Sequence, residues 1–236
     1  SLDIRGGCAA PLQGILIAEA FIRQGLVNHA LVIGSECFST IYYPYLLKRK
    51  GDFLAKDLMN SLIFGDGATA VVLSKEKLSP QALTVNLTTS MSSNAALAPG
   101  FIVALGGSKI NQLGEANVSI GKMMKHFPKE IGGNLPKVIQ EALAKVQRCT
   151  GYKQDEFKFI VGPQANQRLI GSLNKTFKSK NYFYNGDSVG NVPAAALLLA
   201  LDQLLEEKTL NSSDKILVLG VESPKWVYSY CVLSKD

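Results

Sequence analysis

A strand-like run that turns directly into an apolar helix is the feature that most restricts how this chain can fold. Asp3-Ile4-Arg5-Gly6-Gly7 leads into Cys8-Ala9-Ala10-Pro11, and Leu12 to Gln24 reads as a mostly apolar helix. Such a helix has to bury its apolar side against another layer of structure. The same elbow places Cys8 at the helix N-terminus, where unpaired N–H groups and a partial positive charge are expected to favour a thiolate. Those groups also suit the oxyanion of a thioester under attack. The plainer alternative is a small cysteine packed beneath a sheet.

The rest of the chain repeats the alternation of helix and strand expected of a layered α/β protein. His29 to Gly34 reads as a buried strand and Ala68 to Leu73 as another, with Gly65-Asp66-Gly67 supplying the turn before it. A second half opens near Ala82-Leu83-Thr84-Val85-Asn86-Leu87 and crosses a polar stretch to Gly114. A long helix is expected from Ile131 to Val146, then a strand over Phe157–Val161, a helix from Asn166 and a strand near Tyr182-Phe183-Tyr184. Ala194 to Leu205 reads as a helix and Lys215 to Leu219 as a strand leading to Gly220. The division falls at 1–80 and 81–236. A strand that delivers a helix-borne nucleophile normally lies inside a sheet with neighbours on both sides, and too few strands are present for that. The first half is therefore expected to be incomplete.

Composition narrows the function. With 236 residues, 47% hydrophobic and 19% charged, the chain has the apolar content for a substantial core. No apolar stretch approaches the roughly 20 residues that span a bilayer, and Ser1-Leu2-Asp3 lacks the basic region of a signal peptide. A cytoplasmic protein with no membrane partner is expected. Cys8, Cys37, Cys149 and Cys231 show no paired spacing, and His29 and His126 are the only histidines, so reduced thiols and no metal site are expected. The net charge of +6 is scattered except at Leu47-Lys48-Arg49-Lys50 and Lys175-Thr176-Phe177-Lys178-Ser179-Lys180. These clusters read as solvated surface, or as contacts for an acidic carrier protein or a phosphate-bearing ligand. Neither forms a recognisable nucleic-acid module.

Five motifs in chain order resemble β-ketoacyl-ACP synthase III and its thiolase-fold relatives. They are the Gly7-Cys8-Ala9-Ala10-Pro11 elbow, the strand and turn Ala30–Glu36, the run Leu62–Leu73, Gln164-Ala165-Asn166-Gln167-Arg168, and Gly190-Asn191-Val192-Pro193-Ala194-Ala195-Ala196. The resemblance runs the length of the chain and implies a thiolase-like fold of two similar halves in a layered αβαβα sandwich, working as a homo- or heterodimer. It also implies about a hundred residues ahead of the nucleophile, more than a terminal arm holds. The chain thus corresponds to the C-terminal two-thirds, and the missing N-terminal segment is expected as a separate, associated polypeptide.

What the resemblance implies about chemistry is acyl transfer. Cys8 would take an acyl group from coenzyme A or a phosphopantetheine-bearing acyl carrier protein, with no cofactor permanently bound. A thiol suits this step because thioester exchange is nearly isoenergetic. The backbone N–H groups of Cys8 and Val221 would form the oxyanion hole, although Glu222 sets a carboxylate beside a developing negative charge. Asn191 matches the family's catalytic asparagine, its alternative being a turn and helix-cap residue before Pro193. Ala165, Asn166 and Arg168 would line the coenzyme A passage. At Pro163 the family's histidine is replaced by a residue that neither donates a hydrogen bond nor exchanges a proton. His29, at a strand entry, and His126, in a helical stretch, are not expected to substitute, and Cys37, Cys149 and Cys231 are expected to be inert. The favoured activity is acyl transfer in fatty-acid, polyketide or related secondary metabolism. Decarboxylative condensation with a surrogate for the histidine, and a non-catalytic partner subunit, are the alternatives.

Overall fold

In the computed structural model the described residues are 1–40, 62–93, 96–103, 124–164, 167–177 and 181–236, with the backbone alone at 167 and 168. The Leu47–Lys50 cluster, Ala165, Asn166, Lys178, Ser179, Lys180 and the stretch up to Gly114 beyond Val103 lie outside them.

Helix α1, Ala10–Arg23, starts one residue after the Cys8-Ala9 turn and has Pro11 in its first turn, where the missing N–H has no intrahelical partner to lose. It ends at Gln24, and Gly25 takes the left-handed conformation (φ +71°) that redirects the chain. Strands β1, His29–Glu36, and β2, Gly67–Ser74, then pair antiparallel from His29 opposite Ser74 to Glu36 opposite Gly67. They form a two-stranded sheet.

The second half begins with β3, Thr84–Ser92, followed by a small ribbon of β4, Phe101–Val103, and β5, Met124–His126. Helix α2, Pro128–Thr150, runs on through Pro136 and closes on Gly151, whose N–H donates to Gln147 O from a left-handed backbone. After it come β6, Phe159–Val161; α3, Gln167–Phe177; β7, Tyr182–Phe183; and a single turn α4, Gly186–Val189. The chain ends with α5, Ala196–Glu207; β8, Lys215–Glu222; and β9, Val227–Ser234. The sheet order is β3-β9-β8-β6-β7, with β6 parallel to both β7 and β8, and β9 antiparallel to its two neighbours.

Two cores define the layers. Leu135, Val138, Ile139 and Val146 of α2, with Leu173 and Phe177 of α3, cover one face of the five-stranded sheet through Leu217, Leu219, Tyr228, Tyr230 and Val232. The opposite face, Ile216, Val218, Cys231 and Leu233, packs on Leu197, Leu198, Ala200 and Leu204 of α5 together with Leu12, Ile15 and Ala18 of α1. On the far side of those two helices lie Val32 and Leu73 of the small sheet. The order is therefore helix, sheet, helix, sheet, as expected of a thiolase-like sandwich.

The small sheet repeats part of the large one. In α1-β1-β2 and in α5-β8-β9 a helix leads into an eight-residue strand and its antiparallel partner. β8 and β9 are flanked by β6 and β3 and are buried along almost their whole length, whereas β1 and β2 pair only with each other among the described residues. The expected buried strand over His29–Gly34 is consequently buried on one face only. Leu31 and Ile33 are 60% and 62% exposed, and Val72, opposite Leu31, is 56% exposed. Their apolar character suits a strand covered on both faces, and nothing in the described residues covers the outer one.

Candidate active site around Cys8

Cys8 occupies the turn between the N-terminal run, which forms no strand rather than the expected strand-like segment, and α1, with Ala10 N–H donating to Gly7 O across that turn at 3.0 Å. The end of β8 closes on it. A Cβ on Gly220 would lie 2.6 Å from Cys8 O, 2.8 Å from Leu197 Cδ1 and 3.1 Å from Ala9 Cα, so this close approach of strand to elbow requires glycine. Two residues later Glu222 turns its carboxylate onto the elbow, and Gly7 N–H donates to Glu222 Oε1 at 2.6 Å. Gly6 and Gly7 leave the room it occupies, since a Cβ on either would come within 3.3 Å of a Glu222 carboxylate oxygen.

A second carboxylate arrives from the end of β1. Glu36 accepts the N–H of Ala194, and burial pushes its carboxyl above the usual range, with Asp66 adding to the rise. Ala194 belongs to the turn that enters α5. In the same turn Gly190 has φ +77°, and Asn191 O accepts Gly65 N–H at 2.9 Å. The fold thus brings Cys8, Glu222, Glu36 and the Asn191–Ala194 turn to one end of the sandwich. Val221 lies in β8 opposite Tyr228 and is buried.

The surroundings of Cys8 oppose the expected thiolate. Burial pushes the Cys8 thiol up to about 12, the negative charge of Glu222 is the next cause and Glu36 a lesser one, against a lowering contribution from the residue's own N–H. The helix N-terminus is outweighed because desolvation and two carboxylates act on the same sulfur. Cys231, sealed in the core, is pushed up by burial as well. Both thiols lie above their unfolded value of about 8.5. Their stabilising contribution is therefore complete below that pH and is lost as pH climbs through the folded values. Urea unfolding is expected to show a lower midpoint near pH 10 than near pH 7, with the difference reduced in Cys8→Ala. An equal midpoint at both pH values would mean that the thiols sit in water.

Pro163 is buried in the turn after β6, where Tyr182 O–H donates to its carbonyl at 2.5 Å. Gln164 Nε2 donates to Gly162 O and Phe183 O, and Gln164 Oε1 accepts Asn185 N–H, which locks this turn to the end of β7. Arg168 lies in α3. His126 is in strand β5 rather than in the expected helix. It sits among the rings of Phe101 and Phe64, at 4.6 and 5.6 Å, and burial lowers its pKa. His29 bonds Ser74 Oγ at 2.9 Å at the strand entry. Cys37 and Cys149 are exposed. Glu36 was not singled out by sequence reasoning, though a carboxylate closing an otherwise apolar strand was a usable signal.

No group of three or more His, Cys, Asp and Glu side chains among the described residues has the arrangement of a metal site, and none of the described helices is long and apolar enough to cross a membrane.

Two family models match this framework. Residues 2–91 match 3-oxoacyl-[acyl-carrier-protein] synthase III and residues 148–223 match the C-terminal region of the same enzyme, together well over half of the chain. The chain belongs to the 3-oxoacyl-[acyl-carrier-protein] synthase III family. Relatives of this synthase III family include a β-ketoacyl-[acyl-carrier-protein] synthase III from Clostridium botulinum, 31% identical over 222 residues. That alignment takes in 92% of this chain and 63% of the relative. A synthase III from Streptomyces coelicolor is 30% identical over 218 residues, covering 92% of this chain and 62% of its own length. The chain therefore spans a little under two-thirds of these curated synthases. In fold it matches the crystal structure of a 3-oxoacyl-(acyl carrier protein) synthase III from Xanthomonas oryzae with a TM-score of 0.80 at 21% identity. That match covers 99% of this chain and 65% of the other.

Proposed function

We propose that this member of the synthase III family is an acyltransferase that accepts an acyl group on Cys8 from a coenzyme A or acyl-carrier-protein thioester, in fatty-acid or related secondary metabolism. The observation that carries the reading is the elbow itself. A cysteine at a helix N-terminus is held close to Gly220 of β8, in a chain whose relatives are named β-ketoacyl-[acyl-carrier-protein] synthase III. Sγ attacks the thioester carbonyl, a new S–C bond forms, the old C–S bond breaks and the departing thiol leaves with a proton. The Cys8 and Val221 N–H groups are the intended donors to the oxyanion, and Asn191 is a donor to a thioester carbonyl. The family resemblance assigns Ala165, Asn166 and Arg168 to the passage for the pantetheine arm, and no cofactor is retained.

Decarboxylative condensation is the slower activity in this reading, because Pro163 stands where the resemblance places the family's histidine. The small sheet supports a proposal about partners. Among the described residues, both of its outer edges and the face bearing Leu31, Ile33 and Val72 suit pairing and packing with further strands and helices, within a cytoplasmic homo- or heterodimer.

The raised Cys8 thiol favours one rival, a subunit that keeps the fold without the chemistry. Intact-mass measurement after incubation with acetyl-coenzyme A, a longer acyl-coenzyme A and an acyl carrier protein thioester separates the two. The expected result is one added acyl mass per chain, absent in Cys8→Ala. An unmodified wild type, or an adduct that persists in Cys8→Ala, would support the rival.

A further inference from the structure

The reaction just described starts from the thiol rather than the thiolate, because burial and the charge of Glu222 both oppose ionisation of Cys8. The proton therefore has to leave as the S–C bond forms, and Pro163, in the loop after β6, cannot receive it. Two carboxylates act on the sulfur, Glu222 at the end of β8 and Glu36 at the end of β1. They are placed differently. Glu36 is anchored to Ala194 on the far turn and faces Asp66. Glu222 rests on the two glycines that precede Cys8, bonded through Oε1 to Gly7 N–H, and is the largest charge felt by the thiol. Its side chain is half-buried. The anchoring bond occupies one oxygen and leaves Oε2 with no bond among the described contacts, packed beside the elbow.

We propose that Glu222 is the proton acceptor for Cys8 in acyl transfer, a carboxylate base installed from β8 where the loop after β6 offers none. This rests on the acyltransferase reading above. In the forward step Cys8 Sγ–H yields its proton to Glu222 as Sγ bonds the carbonyl carbon. The tetrahedral intermediate then collapses by breaking the bond to the leaving sulfur, and protonated Glu222 returns the proton to that sulfur. Nothing is oxidised or reduced, and the elbow carries one negative charge before and after each transfer. Moving the proton to Glu222 also removes the charge that opposed the thiolate, so acid and base assist each other within the pair. The Gly7 N–H bond fixes the carboxylate while this happens.

Two rates that respond oppositely test the role. The first is alkylation of Cys8 by iodoacetamide, followed by peptide mass spectrometry across pH, which reports how readily the thiolate forms. The second is the rate of acyl adduct formation from acetyl-coenzyme A. Glu222→Gln keeps an oxygen to accept Gly7 N–H and removes the charge and the basicity. Its alkylation profile is expected to move to lower pH while acylation at neutral pH falls at least 10²-fold, the range for a lost general base. Glu222→Asp, which keeps a carboxylate, is expected to recover part of the acylation rate and guards against reading a folding defect as a chemical one. Glu36→Gln is expected to lower the alkylation midpoint and to slow acylation by much less than Glu222→Gln does. A Glu222→Gln protein acylated as fast as wild type or faster would overturn the role of Glu222 while leaving the acyltransferase reading intact. So would an equal loss in Glu36→Gln. A wild type that alkylates on Cys8 yet takes no acyl group from any thioester would overturn the acyltransferase reading and this role with it.

Discussion

Placing an imidazole at position 163, by Pro163→His, is expected to raise carbon dioxide release from a malonyl thioester by about 10²- to 10³-fold, the range associated with one well-aimed hydrogen-bond donor to a developing oxyanion. The register of the large sheet says why this position matters. Val161 pairs with Val218 in parallel strands; two residues on from each lie Pro163 and Gly220, and Gly220 is where an added Cβ would meet Cys8 O. A side chain at 163 is therefore carried to the edge of the sheet where Cys8 sits. The backbone there is fixed by groups other than the proline ring: Tyr182 O–H bonds the carbonyl of residue 163, and the Gln164 amide ties Gly162, Phe183 and Asn185 together. Histidine inherits that path without having to build it. Asn191, in the turn joined to Gly65, completes the pair of donors that the family resemblance assigns to decarboxylation. Carbon dioxide release is to be measured from malonyl-coenzyme A and from a malonyl carrier protein in wild type and Pro163→His. Equal rates in the two proteins would show that the loop after β6 does not aim at the reacting carbonyl.

What the sequence disclosed, and what it hid, follows from where each interaction comes from. The elbow at Cys8 and helices α1, α2 and α5 were legible because a helix start and an apolar period are local. β9 was not foreseen, although Val227-Tyr228-Ser229-Tyr230-Cys231-Val232-Leu233 has the residue types of a strand. Its two buried faces erase the alternation that would have announced it. The β4–β5 ribbon depends on pairing Phe101 with His126 across an interval no local signal spans, which is why His126 was expected in a helix. At the site the motifs pointed to the right stretch of chain, but the protonation state of Cys8 could not be read from position 8. It depends on Glu36 and Glu222, 28 and 214 residues away in sequence. Glu222 was visible only as a departure from a glycine-rich loop. Its contact with Gly7 is a property of the packed halves.

Gly34→Ala is expected to destabilise the protein by about 3 kcal/mol or more, at or beyond the upper end of the usual cost of overpacking. Gly34 lies in β1 where the strand passes the turn before α5. A Cβ there would be driven into the carbonyl oxygen of Ala194, with Ala194 C at 3.1 Å and Thr69 Cγ2 at 3.3 Å. The obstacle is backbone on one side and the neighbouring strand on the other, so no side-chain rotation relieves it, and β1 has to part from the turn. That movement would also pull Glu36 from Ala194 N–H and disturb the turn that carries Asn191, so acylation should weaken along with stability. Gly133→Ala supplies the contrast. Gly133 is exposed in the middle of α2, with nothing within 4 Å of the added methyl, and there the same substitution is expected to stabilise by about 0.5–1 kcal/mol through helix propensity. Urea unfolding compares the two directly. With a slope of about 3 kcal/mol/M, Gly34→Ala should lower the midpoint by about 1 M and Gly133→Ala should raise it slightly. Because the two variants add the same methyl group, opposite signs isolate the contact between β1 and the Ala194 turn. A Gly34→Ala midpoint equal to wild type would mean that the halves do not meet there, and that the carboxylate of Glu36 and the turn of Asn191 are not held at the same end of the sandwich as Cys8.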